Sequence, residues 1–260
     1  MLTFDADTAR LLDTAYQGAD MTRRRRASFD ALTPLPGETL LDIGCGSGLL
    51  AEELARAVGT EGRIIGIDPS DDMRSLARAR NADTPQIEIL AGRADALPVP
   101  DGVADGAVSV QVFEYLDDLD AAVADALRCI RPGGRLVIAD LHFGTFSWHS
   151  DDHERMSRVR SAWDGHFTCG EVPALLPGLI RAQGHEVTSQ VPVPFVDHRL
   201  KPDGLAMTML HLMRAFAVSS GEVPEKVAQA WFDEQFALDR DGRFFFTITQ
   251  VVTVARKREA

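Results

Sequence analysis

The chain has 260 residues, 45% of them hydrophobic and 25% charged, with a formal net charge of −12. That composition is ordinary for a globular protein, and the length suits one α/β domain with insertions or a small cap. The acidic excess opposes phosphate contacts, so nucleic acid is not expected as a partner.

No run of about 18 apolar residues is present, and no membrane-spanning helix is expected. The start, Met1-Leu-Thr-Phe-Asp-Ala-Asp, lacks the basic and apolar stretches of a secretion signal. Three scattered cysteines, Cys45, Cys129 and Cys169, suggest neither a disulfide framework nor a zinc site. A cytoplasmic protein without a metal is expected, as a monomer or a homodimer.

Residues 1–36 read as an N-terminal helical segment, with Leu11, Leu12, Tyr16, Phe29 and Leu32 as its apolar positions. Arg23, Arg24, Arg25 and Arg26 lie within it. Four successive side chains splay around a helix and make no flat patch. They suit a solvated or salt-bridged face, or a local contact to an anion or substrate.

After Pro34-Leu-Pro36-Gly37, short apolar runs alternate with amphipathic stretches. Strands are expected at 39–43, 63–67, 87–90, 107–111 and 135–140. Helices are expected at 49–58, 70–79 and 119–130. This rhythm indicates a doubly wound, mostly parallel α/β sheet whose strands are buried on both faces. Residues 37–140 form the expected cofactor-binding core. Residues 141–240 are expected to supply cap insertions plus a helix at 171–183 and a strand at 186–193, with further helices at 202–218 and 224–238. Residues 241–256 end the chain as a core strand.

The strongest local pattern is Leu40-Leu41-Asp42-Ile43-Gly44-Cys45-Gly46-Ser47-Gly48-Leu49. Glycines permit a sharp turn and close approach of a ligand, and the next helix offers unpaired N–H groups. A dinucleotide fingerprint requires Gly-x-Gly-x-x-Gly, yet its third glycine falls on Leu49 or Ala51. Asp42, two residues before the first glycine, would repel a pyrophosphate and attract a sulfonium or an ammonium. Asp68 ends the second strand, where a carboxylate accepts hydrogen bonds from ribose hydroxyls, or else serves the start of the next helix beside Pro69. Met73 follows, either on an adenine or in the core. Gln111 and Val112 fall at the carboxyl end of the fourth strand, the edge where open α/β sheets bind ligands.

The Asp-x-Gly-x-Gly-x-Gly turn resembles motif I of class I S-adenosylmethionine (SAM)-dependent methyltransferases. Gly92-Arg-Ala-Asp95-Ala-Leu-Pro-Val-Pro-Asp101 is similar to a further segment of that family, as is Leu127-Arg-Cys-Ile-Arg-Pro-Gly-Gly-Arg-Leu-Val-Ile. Together they look like the group that methylates ubiquinone and menaquinone rings. The resemblance covers under half the chain. It implies a seven-stranded Rossmann-like sheet, SAM as cofactor and S-adenosylhomocysteine as product. It places Asp42, Gly44, Cys45, Gly46 and Gly48 at the cofactor turn, Asp68 at the ribose, and Ala94, Asp95 and Ala96 at the adenine.

For the reaction, SAM-dependent methylation of a small, partly apolar metabolite at O, N or C is expected. His149, His142 and His166 are the expected bases. Tyr16, Tyr115, Phe143, Trp148 and Trp163 are expected walls of the acceptor site, with core packing as the alternative. Cys45 and Cys129 lie in turn and scaffold, which argues against a thiol-bound metalloid acceptor. The rival readings are a SAM-binding enzyme of rearrangement or decarboxylation, a nucleotide-dependent oxidoreductase, and a non-catalytic SAM-binding protein.

Overall fold

The computed structural model describes residue 13 and residues 15–259. Its helices are α1 (Ala19–Leu32), α2 (Leu49–Val58), α3 (Asp71–Arg80), α4 (Leu119–Cys129), α5 (His153–Asp164), α6 (Val172–Ala182), α7 (Leu205–Ser219) and α8 (Glu225–Arg240). Its strands are β1 (Thr39–Ile43), β2 (Arg63–Asp68), β3 (Ile87–Ala91), β4 (Ala104–Val110), β5 (Ile130–Trp148), β6 (Glu186–Asp197) and β7 (Phe246–Arg256). They form one seven-stranded sheet in the order β3-β2-β1-β4-β5-β7-β6. The pairings from β3 through β5 are parallel, and β7 lies antiparallel between β5 and β6.

Leu40, Leu41, Ile43, Ile64, Ile65 and Ile67 are all buried. Adjacent residues of one strand point to opposite faces, so a run buried throughout needs cover on both faces. The strand order reverses between β1 and β4, which opens a crevice at their carboxyl ends. That edge holds the site.

The helical expectation over 1–36 resolves into α1 from Ala19, with Gly18 before it and residues 1–12 and 14 outside the described residues. Strand β5 is much longer than the expected 135–140. It follows α4 directly and continues to Trp148, with a register shift between His142 and Ser147. Its aromatic end pairs with β7 and packs against the cap. The Trp148 ring lies 5.3 Å from Trp231 and 4.9 Å from Phe246. Strand β6 likewise runs past Val193 to Asp197. Pro192 and Pro194 are tolerated there because an edge strand has N–H groups with no ladder partner to lose. Helix α5 went unread within a stretch notable for histidines and aromatics, yet Met156, Val159, Ala162 and Trp163 give it a buried helical stripe. It packs with α7 and α8 in the cap.

Gly48 shows how the fold fixes the glycine-rich turn from behind. Its φ is +80°, and a Cβ there would meet Asn81 Nδ2 at 2.6 Å and Ala77 Cβ at 3.1 Å, both at the end of α3. Gly48→Ala is expected to cost about 1–3 kcal/mol. A urea titration checks this: the midpoint should fall with the slope unchanged, and an unmoved midpoint would show that the turn adapts.

Candidate active site

Three left-handed glycines shape the turn after β1: Gly44 at φ +73°, Gly46 at +52° and Gly48 at +80°. The Gly44 and Cys45 N–H groups donate to the Ile67 carbonyl at 2.7 and 3.1 Å, tying the turn to β2. A side chain on Gly44 would run into Val112, whereas one on Gly46 would meet nothing within 4 Å. Gly44 therefore serves close packing, and Gly46 faces open space. Burial raises the Cys45 thiol pKa well above its ordinary value, so it is no thiolate nucleophile.

That space is a cavity of about 370 Å³. The turn contributes Asp42, Gly44, Cys45 and Gly46 to its lining; β2 and α3 contribute Asp68, Pro69 and Met73. Ala94 lines it beside Arg93, and Gln111, Val112 and Tyr115 line it beyond β4. Tyr16, Arg24 and Arg25 reach it from the N-terminal side.

Its electrostatics are dominated by buried acids. Asp42 is 2% exposed, and its Oδ2 has no hydrogen-bond partner among the described residues. Burial, and then the charge of Asp68, push its pKa up to about 7. Asp68 is also raised by burial, against the N–H groups of Ser70 and Gly46, which its two oxygens each accept at 2.9 Å. An ionised carboxylate offers roughly four acceptor positions, so both oxygens retain capacity for a ligand's hydroxyls. Gln111 holds the rare non-glycine φ of +59°, with its N–H donating to the Ala139 carbonyl at 2.9 Å. Backbone held there is strained and is often found at ligand sites.

Residues 41–138 match the family described as a methyltransferase domain. This segment is a methyltransferase domain. The chain is 36% identical over 235 residues to an uncharacterised 37.1 kDa protein in transposon TN4556 of Streptomyces fradiae, covering 88% of this chain and 65% of that protein. It is 36% identical over 120 residues to the demethylmenaquinone methyltransferase of Desulfitobacterium hafniense, covering 45% of this chain and 47% of that one. The chain thus spans 65% and 47% of the lengths of these two relatives. Among solved structures, phosphoethanolamine N-methyltransferase 2 of Haemonchus contortus, in complex with S-adenosyl-L-methionine, shares the fold at a TM-score of 0.63 and 13% identity. That match covers 98% of this chain and 58% of the other.

The methyltransferase domain brings most of the expected cofactor residues to one cavity, but not all. Gly48 lies behind the turn, and Asp95 is held by Arg93 in two hydrogen bonds of 2.8 and 2.7 Å. Neither these nor Ala96 line the cavity. The expected acceptor-site residues divide more sharply. Trp148 is cap core, its Nε1 donating to Gln235 Oε1 at 2.8 Å. Phe143 stacks on Phe167 at 4.2 Å, and Trp163 packs on His166 at 4.2 Å. His149 sits 3.6 Å from the Asp151 carboxylate with 40% of its side chain exposed, and does not line the cavity. His142 does not line it either. His166 reaches its wall indirectly, with Nε2 at 3.2 Å from the Tyr115 hydroxyl. Tyr16 and Tyr115 do line it.

The four arginines part company. Arg23 lies over the Phe195 ring at 5.1 Å, Arg25 pairs with Glu53 at 2.6 Å, and Arg26 pairs with Asp30 at 2.9 Å. Arg24 is 2% exposed and donates to Gln250 Oε1 at 2.7 Å. Sequence reasoning assigned no role to Glu114 or Asp140, both of which are buried beside this arginine. Asp140 interrupts an apolar run just as Asp42 does, and that repeated pattern was the available signal.

Because the folded pKa of Asp42 lies above its unfolded value, its neutral form favours folding. That contribution is full below about pH 4 and is lost as pH rises through about 7. Asp42→Asn removes the loss. Relative to the parent protein, without ligand, it should gain more than about 1.4 kcal/mol between about pH 5 and pH 8. Chemical denaturation at several pH values tests this, and a pH-independent difference would place the Asp42 titration elsewhere.

Proposed function

We propose that the protein transfers the methyl group of SAM to a small, partly apolar acceptor. The observation that carries this reading is the unpartnered Asp42 oxygen, buried beside Asp68 in the cavity of a methyltransferase domain. A buried carboxylate without a cation is costly, and a ligand's ammonium or sulfonium offsets that cost. A diphosphate in the same place would add repulsion.

In this reading Asp42 and the Gly44–Gly46 turn hold the cationic amino-acid end of the cofactor. Asp68 accepts the ribose hydroxyls, with its carboxylate already oriented by Gly46 and Ser70. Ala94 and Met73 flank the adenine. Asp95 and Ala96 join them only if the Arg93–Asp95 pair opens. When bound, SAM supplies a methyl carbon made electrophilic by the sulfonium. The chain's own task is to align the acceptor behind that carbon and keep water out, an effect worth on the order of 7–11 kcal/mol. Tyr16, Tyr115 and Val112 form the apolar wall for that purpose, and the acceptor enters between the ends of β4, β5 and the N-terminal segment.

Calorimetry should show SAM binding and no heat for NAD. Asp68→Ala should weaken SAM by about tenfold to a hundredfold, the value of one charge-assisted hydrogen bond. Unchanged SAM affinity in that variant would refute the ribose assignment, and NAD binding in place of SAM would refute the function.

A further inference from the structure

One cation in the cavity wall has no carboxylate of its own among the described residues. Arg24 lines the cavity from α1 and is 2% exposed. Arginine is almost never buried this far unless its charge is paired. Yet Arg24 is in no ion pair among the described residues: its Nε donates to Gln250 Oε1 at 2.7 Å and its Nη1 to Met21 Sδ at 3.4 Å. Its Nη2 has no hydrogen-bond partner among them. Glu114 and Asp140 are near enough to act on its charge without pairing with it. Arg25, which also lines the cavity, is engaged by Glu53 and by the Tyr16 carbonyl.

The Arg24 guanidinium is also held in place. Gln250, wholly buried in β7, accepts from Nε and returns a hydrogen bond from its own Nε2 to the Arg24 carbonyl at 3.3 Å. A planar cation fixed along one edge keeps its remaining donors oriented, so little ordering is needed when a partner arrives. Its place in the fold separates it from the glycine-rich turn. Gln250 pairs with Leu141 of β5 and Val193 of β6, whereas Asp42 and Asp68 lie in β1 and β2, on the other side of β4. Met21, which also lines the cavity, gives the guanidinium an apolar neighbour. In such surroundings a hydrogen bond from a cation is strong.

We propose that Arg24 is the specificity-determining residue of the acceptor end, its Nη2 donating to a carbonyl or carboxylate oxygen carried by the molecule that is methylated. This rests on the SAM-dependent reading above. It narrows the acceptor from any small, partly apolar molecule to one that bears such an oxygen. A guanidinium has N–H donors and no acceptor, so an oxygen lone pair satisfies Nη2, whereas an ammonium would be repelled. A purely apolar acceptor leaves the buried donor without a partner, and the site discriminates against it for that reason.

The test uses the full chain saturated with S-adenosylhomocysteine and two phenols of nearly equal shape. One is 4-hydroxyacetophenone, which has a carbonyl; the other is 4-ethylphenol, which has a methylene in its place. Calorimetry should show the parent protein binding the ketone about tenfold to a hundredfold more tightly. Arg24→Met should abolish that preference by weakening the ketone, with 4-ethylphenol bound at least as tightly as before. Arg24→Lys keeps the charge but has no second nitrogen to reach the ligand while it holds Gln250. It should lose the preference as well, and it carries the test if the methionine variant does not fold. Both variants should bind S-adenosylhomocysteine within about threefold of the parent protein. A loss of about tenfold there, absent for 5′-methylthioadenosine, which lacks the amino-acid end, would assign Arg24 to the cofactor carboxylate and overturn the proposal. So would equal binding of the two phenols by the parent protein, binding of neither, equal losses on both in the variants, or a preference that survives the substitutions. Failure of the parent protein to bind S-adenosylhomocysteine would instead overturn the cofactor reading beneath it.

Discussion

The site depends on carboxylates carried into the interior by sheet strands. An acid in a low-dielectric environment either takes up a proton or acquires a cation. Burial pushes the pKa of Asp42 up to about 7 and that of Asp140 up to about 8, which favours the first outcome. Strands buried on both faces leave little room for water at their tips, so the burial is imposed by the architecture. The same feature that weakens the ligand-free fold near neutral pH prepares it for a cationic ligand.

The glycine turn and the cap make this arrangement usable. Gly44 lets β1 approach Val112, Gly46 leaves the space that the cavity occupies, and Gly48 closes the turn onto α3. Above this edge, the long β5 and its antiparallel partner β7 carry an aromatic core that anchors α5, α7 and α8. The N-terminal segment completes the enclosure through Tyr16 and Arg24. The proposed cofactor and acceptor ends are therefore built from different parts of the chain. The first is local to β1 and β2, and the second is assembled from residues far apart in sequence.

That division explains what was legible. The parallel sheet, its alternating helices and the crevice residues at Asp42, Gly44, Gly46 and Asp68 follow from local pattern, because each is set by a strand end or a turn. Trp148 and Trp163 are equally conspicuous in sequence, yet they pack within the cap, since large aromatic rings gain more from a core than from a wall. Histidine content drew attention to 141–170 and hid the helical spacing of α5. Arg24, Glu114 and Asp140 sit in a helix, a short turn and the middle of a long strand, and only the folded chain brings them together. No single-segment pattern announces such a cluster, although Asp140, an acid within an apolar strand, repeated a signal already read at Asp42 in β1.

The central claim is that buried, partly protonated acids await a cation, and proton counting addresses it directly. SAM would be titrated calorimetrically into the protein at about pH 6.5 in two buffers of different ionisation enthalpy. Binding should release a substantial fraction of a proton as Asp42 ionises beside the incoming charge, and Asp42→Asn should abolish that release. Binding with no net proton release, or with uptake, would contradict the account.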